Sequence, residues 1–367
     1  MKQLLIARYG EIHLKGANKG LFLNRLLANL RTRLPEAKIR HDDNRIRIEG
    51  GDVKTVASTF GIVSVSQATV LSSTPEEILN YLKNLKVDGS FKVEVNRADK
   101  RFPHKSPEFA RICGGVILDN NKSATVDLHS PTEIIYIDIR SNATYVYTQV
   151  VQGVGGLPIG VSGRAVVMLS GGIDSPVAAW LAQKRGLTTD FIHFATPPYT
   201  NELAMDKVES LARIVGGRLF VVPFTEISLA IRKSCAPEFM ITHMRRFMVR
   251  ISERLGIQIK SDCIVTGENL AQVASQTISG IVSNNFCATK LPILRPLITY
   301  DKSEIIELAK RIGTYETSII PHEDCCSVFV PRNPAINPKL SAVIADEAKL
   351  DIEGLVERAV QGVHNMK

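Results

Sequence analysis

Apolar residues in the first half of the chain follow two different spacings. The run QLLIARYGEI predicts a strand, and the segment after it places Leu23, Leu26, Leu27 and Leu30 along one stripe of a helix. The segment IRHDDNRIRIEG, with apolar and polar residues alternating at Ile46 and Ile48, predicts one strand, which completes a small βαβ unit. Two further helices, TPEEILNYLKNL and SPEFARICGGVILDN, lie among apolar strands and predict a second α+β unit.

The pattern changes after a stretch rich in glycine and proline, QGVGGLPIGVSG, which predicts a linker. Beyond it, apolar strands such as RAVVMLS and TTDFIHFA alternate with amphipathic helices such as NELAMDKVESLARIVGG. This alternation is typical of a doubly wound parallel sheet, whose ligand crevice lies at the carboxyl ends of the strands. We therefore expect an α/β domain that binds its ligand at that edge.

The basic charge of the chain is concentrated in its first half. The 367 residues carry a formal net charge of +8, and residues 1–164 hold 23 Lys and Arg against 16 Asp and Glu. Residues 165–367 hold 22 against 21. A basic first half is the electrostatic footprint of a protein that binds a polyanion such as a nucleic acid, although a solvated basic surface accounts for it equally well.

Composition narrows the class of protein. No secretory signal and no membrane span is evident in the sequence, so we expect a soluble cytoplasmic protein. The six cysteines form no Cys-x-x-Cys pair, which disfavours a zinc ribbon and a disulfide-bonded secreted fold. We expect reduced thiols and assign none of the cysteines as a metal ligand. With 44% hydrophobic residues, the chain can bury the cores of two or three domains.

The segment SGGIDS, residues 170–175, lies between a predicted strand and a predicted helix. The backbone N–H groups of such a turn and the following helix N-terminus converge on an anion. The turn lacks the Gly-Lys-Ser/Thr ending of a Walker A loop, so it suits pyrophosphate bound as a unit and cleavage of ATP between its α- and β-phosphates. Asp174 is expected to help hold Mg²⁺. The residues assigned to phosphate binding are Ser170, Gly171, Gly172 and Ser175.

SGGIDS followed by PVA resembles the pyrophosphatase-loop (PP-loop) motif of ATP-dependent adenylating enzymes. Within that superfamily, FMVRISERLG, VTGENLAQVASQT and RPLITYDKSEI resemble one family, the tRNA 4-thiouridine synthetases or ThiI proteins. The resemblance covers nearly the whole chain. It implies a ferredoxin-like domain at residues 1–52, a THUMP RNA-binding domain at 53–152, a linker at 153–164 and a PP-loop adenylation domain at 165–367.

The same resemblance implies a catalytic cysteine and further contacts to ATP. Cys326, the second of two adjacent cysteines in HEDCCS, aligns with the family's catalytic cysteine, and we expect it to carry sulfur. Cys235 is a weaker candidate for a partner that regenerates Cys326 through a disulfide, and Cys113, Cys263 and Cys287 are expected in the core. The implied ATP contacts are Met168, Leu169, His193, Phe194, Arg245, Gly267 and Gln276.

Four arginines share the predicted helix that contains MRRFMVRISERLG. The resemblance assigns a role in ATP binding to Arg245. For Arg246, Arg250 and Arg254 we expect a solvated charged face, the ordinary arrangement of arginines on a helix.

The sequence does not identify the sulfur donor. Many relatives carry a C-terminal rhodanese domain whose cysteine receives the persulfide, but the segment after Cys326 is too short for one. A cysteine desulfurase or a separate rhodanese-like carrier is therefore the expected donor. An iron–sulfur cluster held by three cysteines, as in some related enzymes, is an alternative that the missing Cys-x-x-Cys pair disfavours. The resemblance also implies tRNA as a partner and a homodimer.

The expected function is that of an ATP-dependent tRNA sulfurtransferase. Such an enzyme adenylates uridine 8 of tRNA at C4 and replaces the oxygen with sulfur from a cysteine persulfide, using ATP and Mg²⁺. One alternative is a PP-loop synthetase that adenylates a small metabolite, which leaves the basic first half unexplained. A second is an RNA-binding protein that senses ATP without turnover, which leaves Cys326 without a role.

Overall fold

The computed structural model describes residues 2–42, 44–200, 202–273, 275–321, 329 and 333–366. The chain divides into two compact units, residues 1–158 (unit 1) and 159–367 (unit 2). The division falls inside the predicted linker 153–164. In the described part of the chain, no helix is both long and apolar enough to cross a membrane.

Unit 1 contains nine strands and four α-helices among its described residues. The strands are β1 Gln3–Tyr9, β2 Lys38–Asp42, β3 Arg45–Glu49, β4 Ile62–Leu71, β5 Ser90–Arg97, β6 Thr125–Val126, β7 Glu133–Ile139, β8 Thr144–Tyr147 and β9 Val151–Gln152. The helices are α1 Lys19–Arg33, α2 Val53–Ala57, α3 Pro75–Lys83 and α4 Ser106–Asn120. The strands form one sheet in the order β2-β3-β1-β4-β8-β7-β5-β6, with β9 beside β4.

The central strand β4 joins the two predicted N-terminal domains. It pairs antiparallel with β1 on one side and with β8 on the other. Leu26 and Leu30 of α1 are buried in one apolar core, and Phe109 and Ile117 of α4 are buried in another. The two halves therefore keep separate cores on a shared sheet, and the boundary at residue 52 stays a prediction.

The segment predicted as one strand is a hairpin, so that prediction was wrong. Strands β2 and β3 pair antiparallel, with Arg40 opposite Arg47, and Asn44 near the turn has a φ of 58°. Asparagine adopts this left-handed conformation more readily than most residues. Because β3 lies between β1 and β2, the predicted βαβ unit is a split one.

Unit 2 contains a second sheet. Its strands are β10 Arg164–Met168, β11 Thr188–Ala195, β12 Leu219–Pro223, β13 Cys263–Val265, β14 Ile293–Leu294 and β15 His364–Met366. Its helices are α5 Asp174–Lys184, α6 Glu202–Val215, α7 Thr225–Ser234, α8 Met240–Gln258, α9 Ile278–Asn285, α10 Lys302–Ile312, α11 Tyr315–Ser318, α12 Leu340–Glu347 and α13 Ile352–Gln361.

The sheet of unit 2 confirms the predicted doubly wound architecture. Its order is β14-β13-β10-β11-β12-β15, and every pairing is parallel except that of β15 with β12. One apolar core contains residues of α7, α8 and α13, and the other contains residues of α5, α6 and α10. The chain order reverses between β10 and β13, and ligands of such sheets bind at the carboxyl ends of the strands at this switch point.

Two of the arginines expected on a solvated face are held by a buried glutamate instead. Arg246 is 1% exposed and donates to Glu347 at 2.7 Å and to the Ser283 carbonyl at 2.7 Å. Arg250 donates to Glu347 at 2.6 and 2.8 Å. The expectation was wrong for these two, because α12 brings a carboxylate from a distant part of the sequence.

We expect Glu347→Gln to lower the free energy of unfolding of unit 2 by about 3–5 kcal/mol at pH 7, because it leaves two arginine charges without their partner. Burial opposes ionisation of Glu347, but hydrogen bonds from Arg250 and Arg246 outweigh it and lower its pKa to about 2. An unfolded glutamate titrates near pH ~4.3, so the stabilisation is complete above that pH and is lost as the pH falls toward the folded pKa.

The measurement is urea unfolding followed by the fluorescence of Trp180, the one tryptophan in the sequence, which lies in α5 of unit 2. The difference in free energy of unfolding between wild type and variant should shrink as the pH is lowered from the unfolded glutamate pKa toward the folded pKa of Glu347. Glu353→Gln is the control, because Glu353 pairs with Arg254 while 78% exposed, and such pairs contribute about 1 kcal/mol or less. Equal losses for the two variants would contradict the argument.

Candidate nucleotide site

The predicted phosphate-binding turn connects β10 to α5. The Ser170 N–H donates to Ser175 Oγ at 2.9 Å, and the Gly172 N–H donates to Ser170 Oγ at 3.2 Å. These bonds hold the turn in shape. Residue Ile173 precedes α5 and supplies no side-chain cap, so the first N–H groups of the helix are available to an anion.

A cavity of about 190 Å³ lies at the carboxyl ends of the strands, beside this turn. The structure brings ten of the predicted site residues into its wall: Met168, Leu169, Ser170, Asp174, Ser175, His193, Phe194, Arg245, Gly267 and Gln276. Met248, Thr266 and Glu268 complete the lining. Gly171 and Gly172 lie in the turn itself. The arrangement makes one nucleotide-sized site possible, and the contact of each residue with ATP stays a prediction.

Most of the lining side chains are almost fully buried, His193 and Gln276 among them. His193 is 6% exposed, and its Nδ1–H donates to the Leu169 carbonyl at 3.0 Å, which ties the end of β11 to the residue after β10. Gln276 is also 6% exposed, and its Oε1 has no hydrogen-bond partner among the described residues. A buried amide oxygen without a donor is costly, so Gln276 suits a ligand that brings an N–H group, such as an adenine amine.

Gly267 is required by close packing against the turn. A Cβ atom at this position would lie 2.9 Å from the Ser175 backbone nitrogen and 3.0 Å from its Cα. Any side chain would therefore push the N-terminus of α5 away from β13. The glycine lets the two edges of the switch point approach each other.

Sequence reasoning missed the cation beside the turn. The Lys302 ammonium bonds Asp174 Oδ1, and the Gln272 amide donates to Asp174 Oδ2 at 2.9 Å. Lys302 is the first residue of α10, whose start is fixed by a capping box between Asp301 and Glu304. The capping box in YDKSE was the available signal for this helix start, but nothing in the sequence placed it next to SGGIDS.

Sequence reasoning also missed a buried carboxylate in the cavity wall. Glu268 is 3% exposed and accepts hydrogen bonds from Arg245 Nη1 at 3.1 Å and from Arg295 Nε at 2.6 Å. Burial opposes its ionisation, but the charges of Arg245 and Arg295 outweigh that effect and lower the pKa of Glu268. Glu268 is therefore an anion that holds two cations at this edge.

The predicted sulfur carrier lies outside the described residues. Cys326 and its neighbour Cys325 belong to the segment 322–328, so their roles stay predictions. Cys113, Cys263 and Cys287 are buried, as expected, and burial raises the pKa of each thiol to about 12, 11 and 11.

Cys235 lies in a polar cluster with His243 and Asp346. The Asp346 carboxylate already accepts hydrogen bonds from His243, from the Ala236 N–H and from Lys349. Burial and the charge of Asp346 raise the pKa of Cys235 to about 11. This environment holds Cys235 as a protonated thiol.

Comparison with known proteins identifies the family. A profile described as thiamine biosynthesis protein (ThiI) matches residues 160–352, more than half of the chain. The chain belongs to the ThiI family. Profiles of the ThiI ferredoxin-like domain and of the THUMP domain match residues 4–66 and 79–149. The resemblance inferred from the sequence motifs is thereby confirmed.

Full-length relatives extend the comparison. A probable tRNA sulfurtransferase of Acetivibrio thermocellus is 41% identical, over 98% of this chain and 97% of the relative. One of Moorella thermoacetica is 42% identical, over 98% and 96%. A crystal structure of a 4-thiouridine synthetase–RNA complex with bound ATP is 33% identical and covers all of both chains, with a TM-score of 0.89. The similarity to these relatives therefore extends over both units.

Proposed function

We propose that this ThiI protein is an ATP-dependent tRNA sulfurtransferase that converts uridine 8 of tRNA to 4-thiouridine. The observation that carries the proposal is the single cavity in which the PP-loop turn, Arg245, Gly267 and Gln276 meet at the switch point of the sheet. Full-length similarity to proteins described as tRNA sulfurtransferases supports the same activity. The basic unit 1 fits a polyanionic substrate.

The first half-reaction is adenylation. The C4 oxygen of uridine attacks the α-phosphorus of ATP, and the bond to the β-phosphate breaks, so pyrophosphate leaves. The turn N–H groups and Lys302 stabilise the charge that develops on pyrophosphate. Asp174 offers carboxylate oxygens of the kind Mg²⁺ prefers, and its partner Lys302 is 44% exposed and can move aside. Mg²⁺ bound there would supply charge neutralisation to the phosphates.

The second half-reaction replaces oxygen by sulfur. The terminal sulfur of a persulfide on Cys326 attacks C4, and AMP leaves with the former C4 oxygen. A second thiol then breaks the sulfur–sulfur bond, which leaves the thiocarbonyl on the base and a disulfide on the protein that an external reductant reopens. A cysteine desulfurase or a rhodanese-like carrier reloads Cys326. The homodimer implied by the family belongs to the same proposal and is checked by analytical ultracentrifugation.

The test is release of AMP and pyrophosphate from ATP by the purified protein, with and without unmodified tRNA and before any sulfur is supplied. We expect release that depends on tRNA and is lost when uridine 8 is replaced. Release that is indifferent to tRNA would instead support the small-metabolite synthetase. An absence of release, together with ATP-dependent RNA affinity, would support the RNA-binding protein that only senses ATP.

A basic loop of unit 1 is the proposed contact to the RNA backbone. Arg97 Nη1 donates to the carbonyls of Phe102 and His104, which fixes the loop between β5 and α4. Lys100 and Lys105 are exposed on this loop. Exposed lysines on a fixed loop next to the start of a helix suit phosphate groups.

We expect Lys100→Glu/Lys105→Glu to weaken RNA binding and to reduce the slope of log affinity against log salt by roughly 0.7–0.9 for each phosphate that the variant no longer neutralises. Filter binding over a range of salt concentrations measures the RNA affinity and its dependence on salt. Lys122→Glu is the matched control, because Lys122 is exposed beyond the other end of α4. An unchanged salt slope in the double variant would exclude the loop as a phosphate-binding element.

A further inference from the structure

The Glu268 carboxylate is the most fully bonded charge at the nucleotide cavity. Besides Arg245 and Arg295, it accepts hydrogen bonds from Thr266 Oγ1 at 3.1 Å and from Asn284 Nδ2 at 3.1 Å. Four donors from different parts of the chain therefore converge on two oxygens. Glu268 directly follows Gly267 in the sequence, and both residues lie in the wall of the cavity.

Arg245 differs from the other arginines of α8 in what it faces. Its side chain is 22% exposed and lines the cavity, while its Nη1 is held by Glu268. Its Nε is buried and has no partner among the described residues. Arg246 and Arg250 bond Glu347 in a similar way, but they are not part of the cavity wall. The ion pair of Glu268 with Arg245 thus fixes a cation that faces the ligand cavity.

We propose that Glu268 is a positioning residue for ATP, which holds the Arg245 guanidinium in one orientation so that it meets the phosphates of the bound nucleotide. The inference rests on the proposed function only in that ATP occupies this cavity. Arginine loses much side-chain freedom when it binds a ligand, so an arginine already fixed by the protein loses less.

Arg295 makes this arrangement compatible with an anionic ligand. A lone glutamate in the wall would repel the phosphates, but two arginines on one carboxylate leave a net positive charge. Arg295 also donates to Asn285 Oδ1 at 2.8 Å, so a second hydrogen bond besides that to Glu268 holds it in place. The carboxylate can therefore orient Arg245 without cancelling its attraction for ATP.

The test measures the affinity for ATP alone by calorimetry, without tRNA and without a sulfur donor. We expect Glu268→Gln to weaken ATP binding by about 10- to 100-fold, the effect of losing an orienting charge-assisted hydrogen bond. Glu268→Asp keeps the charge and should recover part of the affinity. Glu347→Gln is the matched control, because it removes a buried carboxylate shared by two arginines away from the cavity and should leave ATP affinity unchanged.

A double-mutant cycle separates positioning from general loss of structure. If Glu268 acts through Arg245, then Arg245→Ala/Glu268→Gln binds ATP about as weakly as Arg245→Ala alone. Additive losses in the cycle would overturn the proposal, and so would an unchanged ATP affinity in Glu268→Gln. Equal losses of ATP affinity in Glu268→Gln and Glu347→Gln would also overturn it, since they would reflect stability alone.

The outcome is distinguishable from failure of the proposed function. Wild-type protein that binds no ATP would overturn both the nucleotide site and the role of Glu268. Wild-type protein that binds ATP, follows the expected cycle and yet forms no 4-thiouridine would uphold Glu268 while contradicting the proposed reaction.

Discussion

Replacing Lys302 with alanine is expected to slow tRNA-dependent release of pyrophosphate by about 100- to 1,000-fold, as when a preorganised donor to developing charge is removed. The segment 170–175 contains no lysine, but the Lys302 ammonium bonds the Asp174 carboxylate at the start of α5. Negative charge builds up on pyrophosphate as it leaves the turn, and Lys302 is placed to stabilise it. The measurement is the initial rate of pyrophosphate release at saturating ATP and tRNA.

Lys310→Ala is the matched control for Lys302. Lys310 lies on the same helix, and its ammonium is 5.0 Å from the centre of the Tyr315 ring, so we expect an unchanged rate. An equal slowing in Lys302→Ala and Lys310→Ala would contradict a direct role for Lys302 in catalysis.

Asp174 itself is expected to be essential for adenylation but not for RNA binding. Asp174→Ala should abolish AMP release and leave tRNA affinity nearly intact, because the residue lies in the cavity of unit 2. Loss of tRNA affinity in this variant would show that the turn has a structural role instead.

The sequence pattern predicted the sheet of unit 2 better than that of unit 1. Alternating apolar strands and amphipathic helices have few arrangements open to them, so a doubly wound sheet followed directly. The three-residue strand β15 was missed, because so short a segment carries no periodicity and is defined only by its antiparallel pairing with β12. In unit 1 the hairpin was missed because the polar residues 40–45 include no glycine or proline that would mark a turn.

The local motif and the family resemblance together predicted ten of the thirteen residues that line the cavity, whereas the roles of Lys302 and Glu268 emerged only from long-range packing. The turn at 170–175 is contiguous, so its shape could be inferred from the segment itself. Gly267 and Gln276 came from the family resemblance. No role was predicted for Lys302 or Glu268, because their partners Asp174 and Arg245 come from distant segments that meet only at the edge of the folded sheet.

Cys326→Ser is expected to abolish formation of 4-thiouridine while tRNA-dependent release of AMP and pyrophosphate continues. A serine hydroxyl cannot carry a persulfide, whereas adenylation needs only the nucleotide site. The measurement pairs 4-thiouridine content of the tRNA with AMP release in the same reaction, supplied with a persulfide donor. Thiolation at the wild-type rate would exclude Cys326 as the sulfur carrier.

The other cysteines serve as controls for Cys326. Cys287→Ser should keep both activities, because that buried thiol has a pKa raised to about 11 and cannot reach a donor. Cys325→Ser should keep sulfur loading on Cys326. If loading and thiolation are lost in Cys325→Ser and kept in Cys326→Ser, the two adjacent cysteines exchange roles.

Cys235→Ser decides whether Cys235 is the second thiol that breaks the sulfur–sulfur bond. The hydrogen bond of Cys235 to the Asp346 carbonyl and its raised pKa both hold the thiol in its protonated, unreactive form. We therefore expect Cys235→Ser to thiolate tRNA at the wild-type rate over many turnovers. A variant that stops after one turnover would instead identify Cys235 as the thiol that regenerates Cys326. In that case Cys326 would stay joined to the tRNA base through the unbroken sulfur–sulfur bond.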